Sequence, residues 1–401
     1  MRDPELDRDA TLQASLRDRS ASFRPDVQGL RAVAVILVIL AHAKIPHFAG
    51  GFVGVDVFFV ISGYVITGLL VREEELRIRH KLLTFYTRRI RRIVPAATLT
   101  LVVTLWMTYH WLGVFAGRTL GTDERWASLF SANWRFIKVQ TNYFASQQPT
   151  SVILHFWSLA VEEQFYLVFP IFVFLIWALC AASRRRPALL GSLVVIIAAS
   201  ASWCVYQTHI DPISAYYSPF TRVWELALGA FTLVLPESVR VPQRMMHCLM
   251  SWIAFAAIIA SAVLFTNNTS YPGAAVWWPV GATVLVLWAG KSRSGVGPEL
   301  LLERRPAMFV GDISYSLYLW HYPVLIIPMQ YAVSTSISIG SRVELIAVTL
   351  ALSVTSYYLV ENPIRRSKRL AHSPILTLAM ALALISSVWI AAALFQHFAT
   401  V

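Results

Sequence analysis

Charge is scarce in this chain: 14% of its 401 residues are Asp, Glu, Lys or Arg, against 57% that are apolar. That leaves too little polar surface to cover a soluble globule of this size. Cysteine is scarcer still. Cys180, Cys204 and Cys248 stand at unrelated spacings, which excludes a disulfide framework and gives no metal-ligand pattern. Glycine-rich phosphate loops and nucleic-acid motifs are also missing, so the net charge of +12 does not point to nucleic acid. Residues 1–22 lack both an apolar core and a small-residue cleavage site, and read as a disordered cytoplasmic tail with no signal peptide to remove.

What is present is apolar length. Runs fall at 28–46, 55–71, 94–112, 152–180, 188–207, 219–235, 246–265, 273–290, 307–329, 342–360 and 374–397, most near the ~20 residues a helix needs to cross a bilayer. The fold class is therefore an all-α polytopic membrane protein of about eleven transmembrane helices. With the N-terminus placed in the cytoplasm, 26 Lys and Arg fall on the inner side and six on the outer, as the positive-inside rule requires. Because every second loop is basic, the alternation also supports the helix count, and the C-terminus comes out on the extracytoplasmic side.

The polar residues inside these runs are few enough to single out. Arg31 and His42 are eleven residues apart, three helical turns plus about 20°, so they share one face roughly 16 Å apart along the axis. An intramembrane Arg costs about 2.5–3.5 kcal/mol or more unless it meets protein, water or a partner. Snorkelling and an interhelical bond are the plain alternatives for this pair. The second helix opens with Asp56 in Gly54-Val55-Asp56-Val57-Phe58-Phe59 and runs on into Ser62-Gly63-Tyr64. In the fourth, His155, Ser158, Glu162 and Tyr166 fall at i, i+3, i+7 and i+11, one polar stripe on a greasy helix. Arg222 and Glu225 are three apart on the sixth and able to pair. Ser314, Tyr318 and His321 share a face of the ninth, which also carries Ser316 and Trp320. At the cytoplasmic edge, Arg88, Arg89, Arg91 and Arg92 suit topology, anionic lipid and phosphate recognition alike. The outer stretch 113–151, rich in Trp, Gln, Asn and Tyr, reads as a long loop, either a lid for a sugar or a cover on the bundle.

Phe23-Arg24-Pro25-Asp26, the Arg31-to-His42 spacing, Gly54-Val55-Asp56-Val57-Phe58-Phe59, Trp157-Ser158-Leu159 with Glu162-Glu163-Gln164-Phe165-Tyr166, and Ser316 to Trp320 together resemble the acyltransferase 3 family of membrane O-acyltransferases. The likeness is greatest to the branch that acetylates bacterial surface polysaccharides. The resemblance implies an acyltransferase domain over 23–365 and an acyl-coenzyme A donor, probed by Arg31, Arg88, Arg89, Arg91 and Arg92. It also implies a multi-pass protein of the bacterial inner (plasma) membrane. Residues 366–401 then form a linker and an eleventh helix, which in that branch leads to an extracytoplasmic domain of the Ser-Gly-Asn-His type.

Depth sorts the remaining roles. His42, Asp56, His155, Glu162, Arg222, Glu225 and His321 lie towards the outside, and Arg31 with the arginine run lies towards the cytoplasm. That division fits a cytosolic anionic donor and an outer hydroxyl acceptor, a glycan or lipid-linked sugar, with membrane lipids as the surround. His42 is then a general base or an acyl-carrying nucleophile, with Glu162 or Asp56 orienting it as a carboxylate does in hydrolase triads. His155, Ser158, Tyr166, Arg222, Glu225, Ser316, Trp320 and His321 are the expected acceptor contacts. A proton-coupled transporter or lipid flippase is the rival class, since it too uses intramembrane His, Glu and Arg. Against it, the halves show no repeated motifs.

Overall fold

The computed structural model describes residues 24–72, 78–144, 150–236, 244–292, 295–332 and 337–398. The tail read as disordered, 1–22, lies outside them. Every regular element among the described residues is helical, and eight helices are long and apolar enough to cross a membrane. The protein is an all-α polytopic membrane protein.

Helix α1 (Pro25–His42) begins on Pro25, whose fixed φ suits the first helical position, with Asp26 in its first turn. Arg24 just ahead of it holds that carboxylate at 2.7 and 2.5 Å. A tight 3₁₀ turn (Ala49–Val53) follows, then α2 (Gly54–Arg72) and α3 (Ile78–Leu112), which carries the arginine run near its start. The stretch 113–151, expected as a loop, is largely helical: α4 (Val114–Ser128) and α5 (Ala132–Lys138). Next come α6 (Phe156–Leu179), α7 (Ala182–Ile210), the short α8 (Pro212–Tyr217) and α9 (Pro219–Val234). After α10 (Arg244–Leu264), α11 (Trp277–Ala289) and the short α12 (Glu299–Leu302), the run 307–329 breaks at Ile313 into α13 (Arg305–Asp312) and α14 (Ser314–Tyr331). Helix α15 (Ile339–Ser356) ends in a π-helical turn (Tyr357–Glu361). The chain closes with α16 (Asn362–Arg366), α17 (Lys368–His372) and α18 (Pro374–Phe398).

The apolar runs 219–235, 273–290 and 307–329 are the ones outside the eight spanning helices, because α9 and α11 have only 16 and 13 residues and α14, though 18 residues long, carries too many polar side chains. Burial separates centre from rim. In the spanning window of α2, 72% of residues are buried, against 17% in α18. Helix α18 leans on α3 and α4 from the periphery, tied by Trp389 Nε1 to Ser128 Oγ (3.2 Å) and by Arg125 to Gln396 (2.8 Å). At the centre, α2 and α9 touch backbone to backbone. A Cβ on Gly63 would stand 1.8 Å from the Leu226 carbonyl oxygen, and one on Gly229 1.9 Å from that of Val60. Small residues are what let helices in a bilayer approach this closely.

Candidate active site

The C-terminal end of α1 places His42 against α14. Its Nδ1 is 3.1 Å from His321 Nε2, and its Nε2 is 2.8 Å from the Tyr143 hydroxyl. The proton positions follow from the far end of this chain. His321 Nδ1 lies 2.7 Å from the Tyr318 carbonyl, which only accepts, so that nitrogen carries the hydrogen. In a neutral ring His321 Nε2 is then an acceptor, His42 Nδ1 must donate to it, and His42 Nε2 keeps its lone pair, met by the Tyr143 O–H. A backbone carbonyl thus fixes, two rings away, which nitrogen of His42 is basic. Tyr322 packs its ring edge-to-face with His42, centroids 4.9 Å apart, and Tyr143 stacks on Tyr216 at 4.4 Å.

The expected carboxylate partner is replaced by His321. Glu162 accepts from Ser62 (2.6 Å) and Tyr166 (2.5 Å). Asp56 accepts from Arg222 (2.9 Å) and from the Tyr271 hydroxyl. Arg222 also holds Glu225 at 2.8 Å, and all three charged side chains are at most 1% exposed. Asp56, Arg222 and Glu225 therefore close on one another, brought together from α2 and α9, and none of them touches His42. Sequence spacing shows the Arg222–Glu225 pair, but the third member is 166 residues away.

Below His42 a cavity opens towards the arginines. Its lining includes Arg31, Arg89, Arg92, Glu162, Tyr166 and Tyr318. Arg89 is committed to Glu163 (2.9 Å) and lies 3.4 Å over the Tyr166 ring. Arg31 and Arg92, both half-buried, remain as cations facing the cavity. Arg88 is exposed outside it, and Arg91 turns away to bond the Leu370 carbonyl at 2.9 Å. So three of the five arginines assigned to a donor share one space. Ser158 also lines the cavity and bonds the Tyr318 hydroxyl, which in turn donates to the His155 carbonyl (3.1 Å). Tyr318 is thus the wall between the cavity and the His321–His42 pair.

The other expected contacts sit around this axis. His155 is buried, its Nε2 donating to the Leu319 carbonyl at 3.1 Å, and its ring is 5.3 Å from that of His321. Ser316 is drawn to Glu361 (2.8 Å), a carboxylate turned inward by the π-helical turn. Trp320 is buried with its indole N–H unbonded among the described residues. Tyr143, Tyr271, Ser62 and Glu361 were not expected in these positions. Tyr143 sits in the aromatic outer stretch, but no helical spacing links it to His42.

The chain belongs to the acyltransferase 3 family: the model of its acyltransferase domain matches residues 24–394. Among curated relatives, YrhL of Bacillus subtilis (strain 168) is 36% identical over 356 residues, 86% of this chain and 55% of its own length. A peptidoglycan O-acetyltransferase, OatA of Listeria monocytogenes, is 32% identical over 364 residues, 87% of this chain and 57% of OatA. The O-acetyltransferase OatA of Staphylococcus aureus (strain NCTC 8325 / PS 47) is 31% identical over 360 residues, 86% and 58%. The chain therefore spans a little over half the length of these relatives. No solved structure matches it.

Proposed function

We propose that this protein is a bacterial inner-membrane O-acyltransferase that moves an acetyl group from cytosolic acetyl-coenzyme A to a hydroxyl of an extracytoplasmic glycan. The observation that carries the reading is the single axis from Arg31 and Arg92, through a cavity, to a wall one residue from the His321–His42 pair. Arg31 and Arg92, which form no ion pair among the described residues, suit the phosphates of the donor, and the cavity they line suits its pantetheine arm. His42 Nε2 takes the proton of the acceptor hydroxyl as that oxygen attacks the thioester carbonyl. The carbon–sulfur bond breaks, and the thiolate recovers the proton from His42. His321 accepts from His42 Nδ1 throughout, so it orients the ring and stabilises the imidazolium as a triad carboxylate does elsewhere. The names of the relatives supply the acetyl group and the glycan.

The test is turnover by purified protein in detergent, with acetyl-coenzyme A and a glycan acceptor. His42→Ala should lower transfer about 10²–10⁴-fold and leave size-exclusion behaviour unchanged, since His42 is only partly buried. Near-normal transfer in that variant would overturn the mechanism, and proton or lipid transport without donor turnover would favour the transporter class.

A further inference from the structure

Tyr318 touches both the cavity and the histidines. Its ring lines the cavity beside Phe58, centroids 6.2 Å apart, and stands 5.3 Å from the ring of His321. Neither His42 nor His321 lines that space. The hydroxyl is held on α6, where the Tyr318 and Ser158 hydroxyls meet the His155 carbonyl. Two hydrogens serve these three oxygens, so one hydroxyl donates to the other and the second donates to the carbonyl.

Main chain and side chain of Tyr318 do separate work. The carbonyl accepts from His321 Nδ1 at 2.7 Å and so sets the protons of the histidine pair. It belongs to the backbone of α14, which stays in place when the ring turns. A helical residue has two favourable χ1 settings, about 180° and about −60°. Turning from one to the other gives up the hydroxyl's bonds and the ring's packing, and opens the wall with the proton arrangement intact. The chemistry gives the wall a reason: a histidine that takes a proton from a sugar hydroxyl takes one equally from water, so a thioester left open to His42 would be hydrolysed whenever no acceptor is bound.

We propose that Tyr318 is a gate between the donor cavity and the two histidines, latched by Ser158 and the His155 carbonyl, that opens for the thioester and otherwise keeps it from the base. As a gate for a thioester it rests on the acyltransferase reading above. The first measurement needs no turnover. In a full chain with Cys180, Cys204 and Cys248 replaced by Ser, His42→Cys is labelled in inverted membrane vesicles by sulfonatoethyl methanethiosulfonate, an anion that Arg31 and Arg92 attract. Labelling should be slow behind Tyr318. It should quicken about fivefold with Tyr318→Phe, roughly one hydrogen bond, and at least about tenfold with Tyr318→Ala, where bond and ring are both gone. Tyr318→Phe keeps the ring, so it reads the gate even if Tyr318→Ala does not fold. Acetyl-coenzyme A should slow the labelling by filling the cavity. With His42 restored, Tyr318→Phe should raise acceptor-free hydrolysis of acetyl-coenzyme A about fivefold relative to transfer, again one hydrogen bond's worth. Equal labelling with Tyr318 and with Tyr318→Phe would overturn the gate. Faster labelling in the variant, with no protection by acetyl-coenzyme A and no acetyl transfer by the unaltered protein, would leave the gate and overturn the acyltransferase reading instead.

Discussion

At the scale of single residues, the weight of the site rests on a proton arrangement set by a backbone carbonyl. In the proposed mechanism His321 acts through His42, so it is a positioning residue with a distinctive signature. His321→Ala should lower kcat about 10²–10⁴-fold with little change in either KM. His321→Gln, whose amide oxygen accepts the His42 Nδ1 hydrogen, should recover part of that loss. Equal loss in both variants, with a lowered melting temperature, would make His321 merely structural. The cluster of Arg222 with Asp56 and Glu225 behaves oppositely. Removing the cation strands two buried carboxylates, so Arg222→Ala should destabilise the protein by about 3–5 kcal/mol, read as a fall in melting temperature in detergent. The pairing of Arg31 with His42 on one face is visible in the sequence, because helical spacing alone fixes it. The His42–His321 contact is not, since nothing local links residues 279 apart.

The arginines make the same point at the junction of residue and element. In the run Arg88-Arg89-Ile90-Arg91-Arg92, composition says phosphate, but a helix turns successive side chains by about 100°, so the run cannot face one way. Arg92 lines the cavity and Arg91 holds α17. Arg92→Ala and Arg31→Ala should each raise the acetyl-coenzyme A KM, with a smaller effect at high salt because the contacts are screened there. Arg91→Ala should leave that KM unchanged, and a rise equal to that of Arg92→Ala would place the donor elsewhere. Whole elements also depart from the pattern of apolar runs. Helix α4 is weakly apolar and carries Gly117 and Gly121, so it reads as loop, yet Gly117 lets Tyr109 approach closely and the helix packs on α3 and α18. The α2–α9 crossing is the strictest such contact. Gly63→Val or Gly229→Val would force the helices apart, and should abolish monodisperse protein on size exclusion. An unchanged profile would mean that this crossing does not hold the bundle.

For the whole molecule, contacts run from the arginines that line the cavity through Tyr318 and His321 to His42 and Tyr143. That order has a meaning only if the arginines face the cytoplasm, and the charge asymmetry of the loops is the argument for it. The rule counts Lys and Arg near the helix ends, and with the eleven crossings read from the sequence 26 of them fall on one side against six on the other. The orientation can be measured directly. Cys180, Cys204 and Cys248 are free thiols, so each would first be replaced by Ser. Single cysteines would then go in at Ser338, an exposed cap of α15, and at His372, exposed in the basic segment at the end of α17. A membrane-impermeant maleimide applied to intact cells should label Ser338→Cys and spare His372→Cys until the membrane is permeabilised. The reverse pattern would put the arginine mouth outside, where no cytosolic donor reaches it, and the transfer of an acetyl group across the bilayer along this axis would have to be abandoned.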